Sequence, residues 1–173
     1  MQIREAIESD TNTISLLARQ TFTETYDDLN DEQVDRYVSE FFSISKIREY
    51  INSPTYRILV ADRGQLAGYT LLGKTLAPEF LKADKPFECI RLFVVKDAQG
   101  QKLGSKLLES ALAICTKEGN DMLWLKVWDK NEKAIRFYEK KDFLPMGISN
   151  YTEGGMDDQV IIMGRLVEKS NTI

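Results

Sequence analysis

Histidine is missing from all 173 residues of this chain. Its absence excludes Ser-His-Asp and Cys-His nucleophilic machinery and every histidine-bearing metal site, so acid–base chemistry must come from carboxylates, tyrosines, lysines or the substrate. Cysteine is scarce. Cys89 and Cys115 stand alone in apolar segments, which suits neither a disulfide framework nor a metal centre and reads as two reduced core residues. No run approaches the roughly 18 apolar residues that a membrane span needs, and MQIREAIESD lacks the basic and apolar regions of a signal peptide. The cytoplasm is therefore the expected location, with no membrane partner. Positive charge is not in excess either: 23 basic residues against 27 acidic ones leave a formal charge of −4, and no basic stripe carries interleaved aromatics. A nucleic-acid partner is not expected.

What is present suits a globular protein. A composition 43% hydrophobic and 29% charged can bury a core, and the length fits one domain, expected over 1–167 with a frayed tail at 168–173. MQIREA reads as a strand with Ile3 toward the core, and Asp10 as the N-cap of a helix patterned on Ile14, Leu17, Ala18 and Thr21. Two more helices follow, one presenting Val34, Tyr37, Val38 and Phe41, the other Ile44, Ile47 and Ile51 before Pro54. The hairpin TYRILVADRGQLAGYTLLGK, a polar loop over 76–85 and the apolar strand PFECIRLFVV come next. A helix with Leu103, Leu107, Ala111 and Ile114 on one face stops at Gly119. The strand MLWLKVW, a helix in NEKAIRFYEKK capped by Asn131 or Asp129, and two strands around 153-EGG-155 complete a mixed α/β unit.

The stretch 97-DAQGQKLGSKLLESAL-112 joins a strand to a helix through a turn with two glycines. Backbone N–H groups and the positive end of the helix dipole converge at such a turn and suit phosphate. Neither G-x-x-x-x-G-K-[ST] nor G-x-G-x-x-G can be laid over it, so a nucleoside-triphosphate loop and a dinucleotide site are excluded.

Two motifs then resemble the GNAT superfamily of acetyl-CoA-dependent N-acetyltransferases: 95-VKDAQGQKLG-104, of the form V-x-x-x-[QR]-x-x-G-x-[GA], and 131-NEKAIRFYEKKDF-143, of the form N-x-x-A-x-x-F-Y-x-x-x-G-F. Lys102 and Asp142 replace residues that are usually glycine in that pattern. The run 124-WLKVWDKNEKAIRFYEKKDF-143 with 156-MDDQVIIMGRL-166 is similar to the bacterial polyamine acetyltransferases of the PaiA type. The resemblance implies a central, mostly antiparallel sheet whose fourth and fifth strands splay apart, flanked by four to five helices. It implies acetyl-CoA as cosubstrate and direct transfer to an amine, without a covalent enzyme intermediate.

The resemblance also assigns residues. The coenzyme pyrophosphate would rest on backbone N–H groups over Gln99, Gly100, Gln101, Lys102, Leu103, Gly104 and Ser105, with Lys96, Lys102 and Lys106 adding diffuse positive potential or serving only as surface charge. Leu92, Phe93 and Val94 would line the coenzyme, an N–H near Val94 polarising the thioester carbonyl, and Asn131 would bond the pantetheine arm unless it is merely a cap. Glu88 is the expected base, acting through water, and Tyr138 the expected acid. The alternatives are a solvated strand-edge carboxylate and a half-buried aromatic. For the acceptor, Phe22, Tyr26, Asp27, Asp28 and Asp31 are the candidates, the aromatics also reading as core. Between Glu24 and Glu40, the acids Glu24, Asp27, Asp28, Asp31, Glu32, Asp35 and Glu40 stand against a single base, Arg36, which suits a polycationic amine such as spermidine or equally two solvated helices. No metal site is expected, and the final strands offer a surface for a homodimer. A protein N-terminus, a lysine, an amino acid or an aminoglycoside is the alternative acceptor; a non-catalytic coenzyme-binding sensor is the alternative of another class.

Overall fold

The computed structural model describes residues 1–26 and 29–167. Its chain order is β1 (Gln2–Glu5), α1 (Thr11–Thr25), α2 (Asp31–Phe41), α3 (Ile44–Asn52), β2 (Tyr56–Asp62), β3 (Leu66–Gly73) and β4 (Pro86–Val94). After these come α4 (Leu103–Lys117), β5 (Met122–Trp128), α5 (Glu132–Glu139), β6 (Leu144–Tyr151) and β7 (Asp158–Leu166). No helix among the described residues is long and apolar enough to cross a membrane.

Three helix starts, those of α2, α3 and α5, follow the capping chemistry, and those of α1 and α4 do not. Asn30 accepts from the Gln33 N–H at 3.0 Å while the Gln33 side chain accepts from the Asn30 N–H at 3.2 Å, a reciprocal pair that opens α2. Ser43 opens α3 by accepting from Lys46, and Asn131 opens α5 by accepting from Ala134. Asp10 stands at the N-cap of α1, yet its carboxylate accepts from the Ile7 N–H at 2.8 Å and from Arg4 at 2.7 Å, so it ties β1 to the turn before the helix and does not cap α1 itself.

The seven strands form one sheet in the order β1-β2-β3-β4-β5-β7-β6, antiparallel except between β4 and β5. α1, α2 and α3 pack on one face around Ile14, Phe22, Phe42 and Tyr69. On the other face α4 and α5 cover Leu108, Leu123, Leu125 and Phe143. Cys89 and Cys115 are free and buried in this second layer, and burial pushes both thiols up to about 12, as suits reduced core residues.

Two irregularities make the site. The parallel pair holds only from Pro86↔Met122 to Glu88↔Trp124; beyond it β5 stays with β7 and β4 stays with β3, so the two halves of the sheet diverge. A β-bulge is the second. Leu71 pairs with Arg91 but Leu72 pairs with Cys89, which leaves Ile90 as an extra residue. The bulge reverses the alternation. Arg91 and Phe93 therefore share the α1–α3 face with Glu88, while Cys89, Leu92 and Val94 pack under α4.

Candidate active site

A cleft of about 860 Å³ runs from the C-terminal end of α1 through the divergence of β4 and β5 to the first turns of α4 and α5. At the α4 end it is built from backbone. The N–H groups from Gly100 to Ser105 have no acceptor among the described residues, because the helix ladder begins only at Lys106→Lys102 and no side chain caps the start. Gly100, at φ +78°, turns the chain here, and Gly100 and Lys102 to Ser105 line the cleft. Lys96, Lys102, Lys130 and Lys133 stand around it. An array of orphan donors in a basic surround calls for a ligand rich in acceptor oxygens, and the diphosphate of coenzyme A is one, so the residues present fit that group.

The two departures from the glycine pattern now have a physical meaning. Lys102 has φ +63° and Asp142 φ +62°, and they are the only non-glycine residues with positive φ among those described. Both positions demand the left-handed conformation, which glycine adopts freely and other residues adopt at a cost of about 1–2 kcal/mol. Lys102 keeps the turn and tolerates the strain. Gly104 is different: a Cβ there would sit 3.5 Å from Phe137 in ordinary contact, so this position asks only for a small residue.

Leu92, Phe93, Val94, Leu103 and Ser105 all line the cleft. Val95 donates to Ala67, so strand alternation turns the N–H of Val94, and likewise that of Leu92, to the open side of β4. Gln99 closes this edge, donating to the Val94 carbonyl at 3.1 Å and accepting from Lys133 at 2.5 Å. The Gln101 side chain is not brought in. It turns outward to Arg63 and to the Asp97 carbonyl, leaving only its N–H for the cradle, and Lys106 also lies off the lining. Asn131 lines the cleft and caps α5 at once.

Glu88 and Tyr138 approach the gap from opposite faces of the sheet. Glu88 is 2% exposed, where the sequence also allowed a solvated edge carboxylate; it accepts from the Thr75 hydroxyl and pairs with Lys126 at 3.2 Å, which reaches on to Glu153 at 3.5 Å. Tyr138 packs against Phe137 and Phe143, and its hydroxyl has no partner among the described residues although the side chain lines the cleft. Burial raises its pKa well above the ordinary phenol value, which keeps the proton on the oxygen throughout the neutral range.

Past the gap the wall is aromatic. Phe22 stacks on Tyr37 at 4.3 Å, Tyr26 meets Trp128 at 5.3 Å, and the Tyr37 and Tyr151 hydroxyls are 2.6 Å apart. Phe22 is therefore both core and lining. Asp31 is not part of this wall: it lies exposed in the first turn of α2, where it complements the helix dipole, while Asp35 and Glu32 are held by Arg19 and Arg36. Asp27 and Asp28 lie outside the described residues, as does the tail at 168–173. Among the described residues the carboxylates that reach the cleft are Glu24, Glu88, Glu153 and Asp158. Lys126, Arg91, Trp128, Tyr151 and Glu153 were not anticipated. Lys126 and Arg91 did leave a signal, Lys126 as the lone charge in its apolar strand and Arg91 as the only base in a strand whose other charge is Glu88.

A sheet that opens at its one parallel pair, with a helix N-terminus beneath the opening, defines a class of coenzyme A-dependent acyltransferases. The chain belongs to the acetyltransferase (GNAT) family, whose model matches residues 18–143. It is an N-acetyltransferase that uses acetyl-CoA and acts on an amine. An uncharacterised N-acetyltransferase of Mycobacterium tuberculosis is 27% identical over 135 residues, covering 78% of this chain and 82% of the relative. The PaiA N-acetyltransferase of Thermoplasma acidophilum, solved with coenzyme A, superposes with a TM-score of 0.75 at 23% identity over 95% of this chain and 98% of its own. An aminoglycoside 6'-acetyltransferase of type Ii gives 0.70 at 20% identity, covering 97% and 98%. Both likenesses are of fold.

Proposed function

We propose that residues 1–167 form one cytoplasmic catalytic unit that passes an acetyl group directly to the primary amine of a small acceptor, with Glu88 as base and Tyr138 as acid. The observation that carries this reading is the divergence of β4 from β5 at Glu88, which joins the two lobes of the cleft. An alkyl ammonium has a pKa of about 10.4 and must lose a proton before it can attack. Glu88, screened from bulk water and opening on the cleft, takes that proton through a water molecule. The N–H groups of Leu92 and Val94 supply preset donors to the thioester oxygen, an effect of about 3 kcal/mol where such donors are fixed. Tyr138 gives a proton to the departing sulfur.

A polyamine acceptor is the second reading. Glu24, Glu153 and Asp158 at the acceptor end, together with the PaiA likeness, support it. The exposed apolar residues of the edge strand β6, Leu144 and Ile148, support a homodimer. Thiol release from acetyl-CoA with a panel of polyamines, amino acids, aminoglycosides and peptides tests the assignment. A coenzyme-binding sensor would bind acetyl-CoA and release no thiol with any of them.

A further inference from the structure

Arg91 is the least expected group in the acceptor lobe. The side chain is 7% exposed, and no carboxylate pairs with it among the described residues. Its Nη1 is sealed from solvent without a hydrogen-bond partner, while the guanidinium rests on the rings of Phe42 at 4.9 Å, Phe41 at 5.4 Å and Tyr50 at 5.8 Å. The Tyr50 hydroxyl also supports the cation, but the ring faces recover only part of its lost hydration and none gives Nη1 an in-plane acceptor. Buried charges are ordinarily paired, since an unpaired one costs several kcal/mol. A second orphan donor lies on the same cleft. Trp128 Nε1 is buried and unpartnered, and both side chains belong to the lining.

We infer that Arg91 is a carboxylate-binding residue of the acceptor subsite, so that the preferred acceptor is an amine that also carries a carboxylate, such as an amino acid. This deepens the acetyltransferase reading of the cleft and rests on it. A guanidinium presents two parallel donors that match a carboxylate, and Trp128 adds a further donor for an acceptor-rich ligand. The bulge at Ile90 is what aims the group: regular alternation would have turned Arg91 under α4, away from the lobe that holds Glu88. Glu24, Glu153 and Asp158 on the same cleft remain for the ammonium groups of such an acceptor. A purely cationic acceptor leaves the Arg91 charge uncompensated and adds more of the same sign.

Ornithine and putrescine differ by one carboxylate and test the inference directly. In thiol-release assays with the full chain, kcat/KM for ornithine should exceed that for putrescine at least tenfold, as should lysine over cadaverine. In Arg91→Met the ratio should fall toward one through the KM of the amino acid, with Arg91→Lys intermediate and the KM for acetyl-CoA unmoved. Thermal shift in the presence of coenzyme A supplies a readout independent of turnover, and ornithine should raise the midpoint where putrescine does not. Preference of the wild-type enzyme for putrescine or spermidine overturns the inference, as does an unchanged ratio in folded Arg91→Met. If Arg91→Met fails to fold, the wild-type ratio and Arg91→Lys decide by the same criteria. An ornithine shift without thiol release from any amine would support the carboxylate subsite and overturn the transferase reading alone.

Discussion

The two lobes of the cleft are built from different materials. The lobe proposed for the coenzyme consists of orphan N–H groups from Gly100 to Ser105 on one continuous turn, and side chains serve mainly as its surround. The lobe proposed for the acceptor is an assembly of side chains from the end of α1, β4, β5 and the β6–β7 region, among them Tyr26, Glu88, Arg91, Lys126, Tyr151 and Glu153. A backbone device survives most substitutions that keep its dihedrals, whereas a side-chain device changes with each residue. Substrate identity should therefore drift at the acceptor end while coenzyme binding persists.

The largest effect should come from the acceptor lobe. Glu88→Gln should lower kcat/KM for the amine by about 100-fold or more at neutral pH, the usual weight of a positioned base, with acetyl-CoA affinity unchanged in a binding titration. Equal losses in both would place Glu88 in the architecture of the gap.

Tyr138→Phe stands between the lobes, and kcat should fall by about 10-fold at pH 7 with little change in acetyl-CoA binding. The sign with pH follows from the leaving group. A thiol of pKa about 8.5 departs readily as thiolate in alkaline solution and needs the acid less there, so the deficit should shrink toward pH 9. The raised pKa of Tyr138 keeps the wild-type acid protonated over the same interval, and a deficit independent of pH from 6 to 9 would return Tyr138 to the core.

Charges on and off the acceptor lining should separate by a smaller margin. Glu24→Gln should raise the KM of a cationic acceptor about 2- to 3-fold at low salt, an effect lost near 1 M salt where the Debye length is about 3 Å. Asp31→Asn should leave it unchanged, because Asp31 lies off the cleft. Equal responses would mean that long-range field, not contact, recruits the acceptor.

The smallest effect belongs to the coenzyme lobe. Lys102→Gly should leave acetyl-CoA affinity unchanged or improved and raise stability by about 0.5 kcal/mol, the left-handed penalty relieved less the added freedom of glycine in the unfolded chain. That is about 1–2 °C in Tm. Asp142→Gly should gain less, since Asp tolerates that conformation better. A loss of coenzyme affinity of tenfold, about 1.4 kcal/mol, in Lys102→Gly would show that the lysine side chain itself holds phosphate.

The elements, and the turn proposed to hold the coenzyme, could be read from the chain because their causes are local. Periodicity marks the helices, Asn131 and Ser43 cap their own first turns, and the glycine turn before Leu103 is set within a few residues. The reading missed what tertiary contacts decided. Asp10 was claimed by Arg4 of β1, and Glu88, for which the sequence also allowed a solvated strand edge, was enclosed by Thr75 of the loop after β3 and by Lys126 of β5. The acidic run around α2 suggested an entrance, yet the face of a surface helix that meets solvent is fixed only when its apolar side docks, and docking left Asp31 outside. Strand alternation in IRLFVV puts Arg91 and Phe93 on the face opposite Glu88. Only pairing with β3, which places one extra residue at Ile90, rotates both into the acceptor lobe, because a bulge is a property of two strands in register and has no representation in either one alone.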